Sequence, residues 1–368
     1  MESNKKNKKV FVALSGGVDS AVSAALLKEE GYEVTGVYMK NWSGDEYGIQ
    51  ADCPWEKDQK DAENICNHLD IEFRSFNFEK EYRDRVVEYF FAEYEKGRTP
   101  NPDVMCNKEV KFKLFLEKAL TAGADYIATG HYAQHILSKN NTHKMLKGVD
   151  SNKDQTYFLY NITQEQLAYT FFPIGGIEKP RVRELAKIYN LPNADKPDSQ
   201  GICFIGEINV LKFLMSRIPK RVGEIRDIDT NKKVGEHIGV YFYTLGQREG
   251  LGIGGLKEPY FVVDKDINEN IIYVGQGTTH KALYKKEVEL ENIHFIDNRE
   301  VTNKLTIENI QASVRYRQRP QEGRLEIKNL NSQHSIKFIF NEPQRAVTSG
   351  QSLVIYDNDE CLGGGVIK

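Results

Sequence analysis

Two kinds of chemistry are legible in this chain, a glycine turn suited to phosphate and a pair of cysteines in unusual settings. The first is Ser15-Gly16-Gly17-Val18-Asp19-Ser20. It follows the apolar run Val10-Phe11-Val12-Ala13-Leu14 and precedes Ala21-Val22-Ser23-Ala24-Ala25-Leu26-Leu27. Apolar residues at 18, 22, 25 and 26 have helical spacing, so the segment reads as strand, tight turn, helix. A helix start leaves backbone N–H groups unpaired and carries partial positive charge, which suits an anion. Gly16 and Gly17 let the backbone come close to a phosphate, and Ser15 and Ser20 add hydroxyl donors. No lysine follows the glycines as a kinase-type loop requires, and the G-x-G-x-x-G dinucleotide fingerprint is absent.

The chain has five cysteines, Cys53, Cys66, Cys106, Cys203 and Cys361, widely spaced and without a Cys-x-x-Cys. That spacing argues against a disulfide scaffold, a zinc ribbon or a thioredoxin-type site. Cys106 lies in Gly97-Arg98-Thr99-Pro100-Asn101-Pro102-Asp103-Val104-Met105-Cys106-Asn107. Its two prolines predict a stiffened surface loop, with the thiol just ahead of a helix whose N-terminus can acidify it. The plainer alternative is an inert thiol in a connector. Cys203, in Asp198-Ser199-Gln200-Gly201-Ile202-Cys203-Phe204-Ile205-Gly206-Glu207, reads either as a reactive thiol or as a buried strand residue. Cys66 shares an apolar helical face with Ala62, Ile65 and Leu69 and reads as core. Cys53 and Cys361 have no supporting neighbours and read as structural.

The elements that must position these groups alternate. Glu33 to Met39 reads as a strand, Lys57 to Leu69 as a helix and Ile71 to Phe78 as a strand. Helices at Tyr82 to Tyr94 and Val110 to Leu120 and a strand at Asp125 to Thr129 follow. Such alternation predicts a mostly parallel sheet covered on both faces, with ligands at the carboxyl ends of its strands. Leu14-Ser15-Gly16, Met39-Lys40 and Thr129-Gly130-His131 fall at those ends. A hairpin is expected around Asn140-Asn141 within 135–147, and two helical pieces between Gln164 and Leu191. The composition shifts near Ile208. After a last helix, Val210 to Ile218, come short β-like runs, among them Val240 to Leu245, Tyr260 to Asp264, Ile310 to Arg317 and Ser352 to Tyr356. The predicted fold is α/β: a parallel-sheet, Rossmann-like adenine-nucleotide domain over 1–208, a small β-rich central domain over 209–281 and a C-terminal β-barrel over 282–368.

At 368 residues the chain exceeds one comfortable core. Its net charge of −3 gives no global pull towards nucleic acid, so any RNA contact must use local basic patches. No apolar run is long enough to span a membrane, and no hydrophobic signal region follows the lysine-rich start; a cytoplasmic protein is expected.

Ser-Gly-Gly-Val-Asp-Ser after a first strand resembles the pyrophosphate (PP) loop of the ATP pyrophosphatases. Those enzymes split ATP between its α and β phosphates and activate an oxygen as an adenylate. Five further blocks occur in order: Thr-Pro-Asn-Pro-Asp-Val-Met-Cys-Asn, Ala-Thr-Gly-His-Tyr-Ala, Lys-Asp-Gln-Thr-Tyr-Phe-Leu, Gly-Ile-Cys-Phe-Ile-Gly-Glu and Gly-Gln-Arg-Glu-Gly-Leu-Gly-Ile-Gly-Gly. With them the chain resembles the tRNA-specific 2-thiouridylase family from about Lys9 to its C-terminus. Small departures are Ala21 and Thr156, where the family often has Ser.

The resemblance implies an ATP-dependent sulfurtransferase that adenylates the carbon 2 oxygen of a wobble uridine in tRNA and replaces it with sulfur. It implies that Ala13, Leu14, Ser15, Gly16, Gly17, Val18, Asp19 and Ser20 hold ATP, accompanied by Mg²⁺, with Met39 and Gly130 beside the adenosine. Asn101, Pro102 and Asp103 would touch the target base. Cys106 would be the nucleophile and Cys203 the persulfide carrier, the two closing into a disulfide. His131, Lys153, Asp154, Gln155, Arg315, Tyr316 and Gln351 would contact tRNA. A sulfur-donor protein, a cysteine desulfurase or a relay protein, is implied as a partner. Two competitors remain: a ligating ATP pyrophosphatase for a small molecule, which needs no thiol pair, and a tRNA-binding module with a vestigial nucleotide loop. The intact Ser15, Gly16, Gly17, Asp19 and Ser20 speak against the second.

Overall fold

A computed structural model describes residues 7–43, 55–198, 210–254, 258–299, 304–330 and 333–368. Strand β1 (Lys9–Leu14) is buried at five of its six residues, the pattern of a strand covered on both faces. It sits between β2 (Glu33–Lys40) and β4 (Tyr126–Ala128) in a five-stranded sheet of order β3-β2-β1-β4-β7, where β3 is Glu72–Asn77 and β7 is Thr170–Phe171. Every pairing in this sheet is parallel. Strand order reverses between β1 and β4, so the crevice for a ligand opens at their carboxyl ends.

Alternate residues of β1 serve two cores. Val10, Val12 and Leu14 pack with helix α1 (Val18–Glu29) and helix α2 (Trp55–Leu69). Phe11 and Ala13 face the aromatic side chains of helix α3 (79–95) and helix α4 (102–121), including Phe90, Phe91 and Phe115. Cys66 is fully buried in the first core, as its helical face predicted. It packs directly against Gly36 of β2, where any larger residue would collide with its sulfur. Burial pushes its thiol up to about 12. Cys361 is likewise buried, in the last strand.

The expected hairpin is present as β5 (Ala133–Leu137) and β6 (His143–Lys147). It leaves its own sheet, and β6 pairs with the start of β17 (Glu360–Ile367). Short helices α5 (Thr156–Leu159) and α6 (Gln164–Ala168) and the longer α7 (Lys179–Ile188) follow, with Val182 and Ala186 of α7 in the core shared with α1. After α8 (Val210–Met215), the central domain is a four-stranded sheet of order β10-β11-β8-β9, from β8 (Gly223–Asp227), β9 (Lys233–His237), β10 (Tyr260–Asp266) and β11 (Ile271–Gln276). The C-terminal strands β12 (Tyr284–Phe295), β13 (Lys304–Ser313), β14 (Gln321–Leu330), β15 (Gln333–Arg345), β16 (Ser352–Asp357) and β17 close into a barrel through β12–β17 pairing.

Three local expectations are corrected. Pro100 and Pro102 do not exclude a helix: Pro102 occupies the first helical position, where a missing N–H costs nothing, so α4 begins there and Cys106 lies within it rather than ahead of it. Val240 to Phe242 forms a single 3₁₀ turn, not a strand. Arg315 to Arg319 is a turn beyond the end of β13, with Arg317 at φ 61°. The Val314 N–H donates to Gln318 Oε1, and the Ser313 hydroxyl donates to the Gln318 carbonyl. The glycine-rich stretch after Leu245 begins pinned to β10, since Gly246 N–H donates to Val262 O and Val262 N–H to Gln247 O. Leu251 is buried in the central core. Among the described residues no helix is long and apolar enough to cross a membrane.

Candidate functional site

The phosphate loop is shaped by its neighbours. Gly16 has φ +73°, and a Cβ there would lie 2.8 Å from the Asp58 carbonyl oxygen, so only glycine fits between the turn and α2. Asn193 Nδ2 donates to the Gly16 carbonyl at 3.0 Å. Ser20 Oγ donates to Gly17 O at 3.1 Å and accepts from Ser15 N–H at 3.3 Å, which closes the turn on itself. Gly17 is the N-cap of α1 and no side chain caps the helix, so its first N–H groups point outward for an anion. Gly130, at the end of β4, lies under this turn: a Cβ there would come within 2.6 Å of Ser20 N. Ala13, Leu14 and Val18 are buried and contribute packing and backbone; Met39 lies partly buried at the end of β2.

Charge is concentrated beside the turn. Asp19 Oδ1 accepts from Tyr132 Oη at 2.8 Å and pairs with Lys179 Nζ at 2.6 Å. Lys179 also pairs with Asp198 at 2.7 Å, and Asp198 takes Lys153 at 2.7 Å and Arg183 at 2.5 Å. Burial pushes the Asp198 carboxyl up, but Lys153 and Lys179 overcome it and hold the group well below the usual carboxylate range. A polyphosphate entering the turn therefore meets a cation already held there by Asp19.

Cys106 is reached from the other side. Asn101 is the N-cap of α4, its Oδ1 accepting from Val104 N–H at 3.3 Å. Cys106 is fully buried one turn further on, where the helix widens into π-helical turns over Asn107–Leu114. Such widening is common at functional sites. Asn107 Nδ2 donates to Phe158 O at 3.1 Å, and Phe112 packs 5.7 Å from the His131 ring, next to Gly130. The thiol-bearing helix thus packs, at Phe112, beside the segment that follows β4. Cys203 and its neighbours from Ser199 lie outside the described residues, and so does Cys53.

Comparison with known proteins decides the family. A family model described as tRNA methyl transferase HUP domain matches residues 8–207, a tRNA methyl transferase PRC-barrel domain matches 211–276, and an aminomethyltransferase beta-barrel domain matches 285–367. A tRNA-specific 2-thiouridylase MnmA of Streptococcus mutans is 52% identical over 100% of this chain and 96% of its own. Its namesake from Streptococcus pyogenes is 51% identical over 97% of this chain and 94% of its own. The chain belongs to the tRNA-specific 2-thiouridylase family. Among solved structures, a 4-thiouridine synthetase–RNA complex with bound ATP aligns at 17% identity over 56% of this chain and 49% of that one, with a TM-score of 0.37, and adds no argument.

Most of the residues that 2-thiouridylase resemblance assigns to tRNA gather around α5. Lys153, Asp154 and Gln155 lead into it: Lys153 is engaged by Asp198, Asp154 accepts from Gly148 N–H and Thr156 Oγ1 at 3.0 Å each, and Gln155 Oε1 accepts from Tyr132 N–H. Tyr316 comes in from the barrel, its ring 4.4 Å from Phe158. Arg315 Nη1 donates to Arg345 O at 2.8 Å. His131 is buried, with Nδ1 2.8 Å from Thr129 Oγ1. Burial, aided by Lys111, pushes its imidazole well below the ordinary value, so it is neutral at pH 7. Gln351 points elsewhere, donating to the carbonyls of Thr99 at 2.9 Å and Pro100 at 3.2 Å. Lys179 was not anticipated from sequence. One signal was available: a lysine in the first turn of a helix opposes the helix dipole and calls for an anion nearby.

Proposed function

We propose that this chain uses ATP to thiolate carbon 2 of the wobble uridine of tRNA. The observation that carries the reading is the Asp19–Lys179–Asp198 bridge. It sets a lysine ammonium, held between two carboxylates, beside the glycine turn where a polyphosphate would bind. Full-length similarity to relatives named 2-thiouridylases supports the substrate.

The turn at Ser15 to Ser20 binds the phosphates of ATP, with Met39 and Gly130 beside the adenosine and Asn101, Pro102 and Asp103 at the uracil. The uridine oxygen attacks the α-phosphorus and pyrophosphate leaves, which converts a poor leaving group into AMP. The terminal sulfur of a Cys203 persulfide then attacks carbon 2 and AMP departs. The Cys106 thiolate attacks Cys203 Sγ, the persulfide S–S bond breaks towards the base, and a Cys106–Cys203 disulfide remains for an external thiol to reduce. In the alternative order Cys106 frees hydrosulfide first. The persulfide is loaded by a sulfur-donor protein, and the protein works in the cytoplasm. Lys153, Asp154, Gln155, Arg315 and Tyr316 face tRNA, and His131 abuts it as a neutral ring; Gln351, turned onto Thr99 and Pro100, does not.

Among the described residues no group of three metal-ligating side chains forms a cage. Magnesium fits here as a companion of the nucleotide, with Asp19 the nearby carboxylate, and it would neutralise phosphate charge. The test is nucleoside mass spectrometry of tRNA incubated with the protein, ATP, Mg²⁺ and sulfide. 2-Thiouridine that depends on ATP and is lost in both Cys106→Ser and Cys203→Ser is expected. Full product from either variant would remove that cysteine from the mechanism.

A further inference from the structure

The chain between α3 and α4 is only Lys96 to Asn101, and the two β domains hold Gly97, Arg98, Thr99 and Pro100 within it. Gly97 ends α3 at φ +73°, with Arg98 N–H returning to Glu93 O at 2.9 Å. From the central domain, Lys265 Nζ donates to Gly97 O at 2.5 Å and to Tyr243 O at 2.9 Å. Ile267 packs against the bare Cα of Gly97, leaving no room for a side chain. Thr244 Oγ1 lies 3.1 Å from Thr99 Oγ1. From the barrel, Ser349 O accepts from Thr99 N–H at 2.9 Å, and Gln351 Nε2 donates to Thr99 and Pro100 O. Arg98 pairs with Glu291 of β12 at 2.6 Å and with Glu93 at 2.8 Å. Gly350, at φ +89°, lets the barrel backbone lie against Thr99, where a Cβ would sit 2.9 Å from its carbonyl oxygen. On the far side of this short run, α4 starts at Pro102 and carries Cys106.

We propose that Lys265 and Gln351 form a two-sided clasp on the Gly97–Pro100 backbone that sets the position of the Cys106 helix, making Lys265 a positioning residue for sulfur transfer. A lysine ammonium is a costly choice for a mere domain contact. Burial lowers it to about 8, against the pull of Asp264. Two carbonyls, one of them at the C-terminus of α3 where a cation is favoured, offset that cost. Both domains can thus act on a thiol that neither contains. The argument rests on the sulfur-transfer reading of Cys106, but the clasp itself can be tested without it.

The experiment uses the full chain as Lys265→Met, Lys265→Arg and Gln351→Leu. Two readouts are taken: single-turnover thiolation over a range of tRNA concentrations, and peptide-resolved alkylation of Cys106 by iodoacetamide without tRNA. Misplacing a reacting group by about 1 Å costs up to ~100-fold, so Lys265→Met should slow the rate at saturating tRNA about 10- to 100-fold with tRNA affinity nearly unchanged. Cys106 alkylation should accelerate about tenfold, and Lys265→Arg, which keeps the charge but not the ammonium's shape, should recover part of both rates. Gln351→Leu should reproduce the split from the barrel side and decides the matter should Lys265→Met fail to fold. A Lys265→Met protein with wild-type rate and alkylation, or a Gln351→Leu defect confined to tRNA affinity, overturns the clasp. Should the wild type make no 2-thiouridine, the sulfur-transfer reading fails, while the alkylation comparison still decides whether the clasp holds Cys106.

Discussion

Replacing Lys179 with Met tests the charge arrangement at the phosphate loop. Lys179 is shared by Asp19 and Asp198, with only 11% of its side chain exposed. Asp198 keeps Lys153 and Arg183 after the substitution, and Asp19 keeps the Tyr132 hydroxyl. Both carboxylates are about one-third exposed, so water relieves much of the imbalance and the fold should lose only about 1–2 kcal/mol. Binding should suffer more. A charge-assisted hydrogen bond from an ammonium to phosphate contributes about 1.5–3 kcal/mol, equivalent to ~10- to 150-fold in Kd. Isothermal titration calorimetry with ATP and with AMP, on wild type and variant, measures it. ATP should weaken within that range while AMP, lacking the β and γ phosphates, changes little. Equal loss for ATP and AMP, or no loss for either, would refute the argument that Lys179 waits for the polyphosphate.

Other consequences are as direct. Arg315→Ala should weaken tRNA binding and reduce the slope of log K against log salt by about one, read from filter binding at several ionic strengths; an unchanged slope removes Arg315 from the phosphate contacts. Gly36→Ala forces a methyl against the Cys66 sulfur and Leu14, and should cost about 1–3 kcal/mol in denaturant unfolding, with partial recovery in Gly36→Ala/Cys66→Ala. Asp198 has a folded-state pKa below its unfolded value, so its ion pairs stabilise fully above about pH 4 and that contribution is lost as pH falls towards the folded pKa. The stability gap between wild type and Asp198→Asn should therefore be constant from about pH 7 to 5 and shrink below about 4. Asn101→Ala removes the cap of α4 and should cost about 1 kcal/mol, with faster Cys106 alkylation as the reporter of fraying.

The nucleotide half was legible because its determinants are local. β1 is apolar at every residue after Lys9, the turn needs glycine at Gly16, and the helix that follows has its spacing written in Val18, Val22 and Ala25. The alternation of strand and helix then leaves few topologies, and the parallel sheet follows. Reading failed where one residue admits two geometries. Pro102 can bar a helix or begin one, and Asn101 beside it decides for the second by capping. Arg315 to Arg319 alternates like a strand, yet Gln318 folds its amide back onto Val314 and makes a turn.

What sequence spacing could not supply was which distant groups would share charge or hydrogen bonds. Lys179 meets Asp19 because α7 packs along α1, a tertiary contact with no signature in any one segment. Lys265 reaches Gly97 across 168 positions, and Gln351 reaches Thr99 across 252. Local propensities determine which elements exist. Only the burial of their faces against one another decides which carbonyl a lysine finds, and so how the thiol-bearing helix is held.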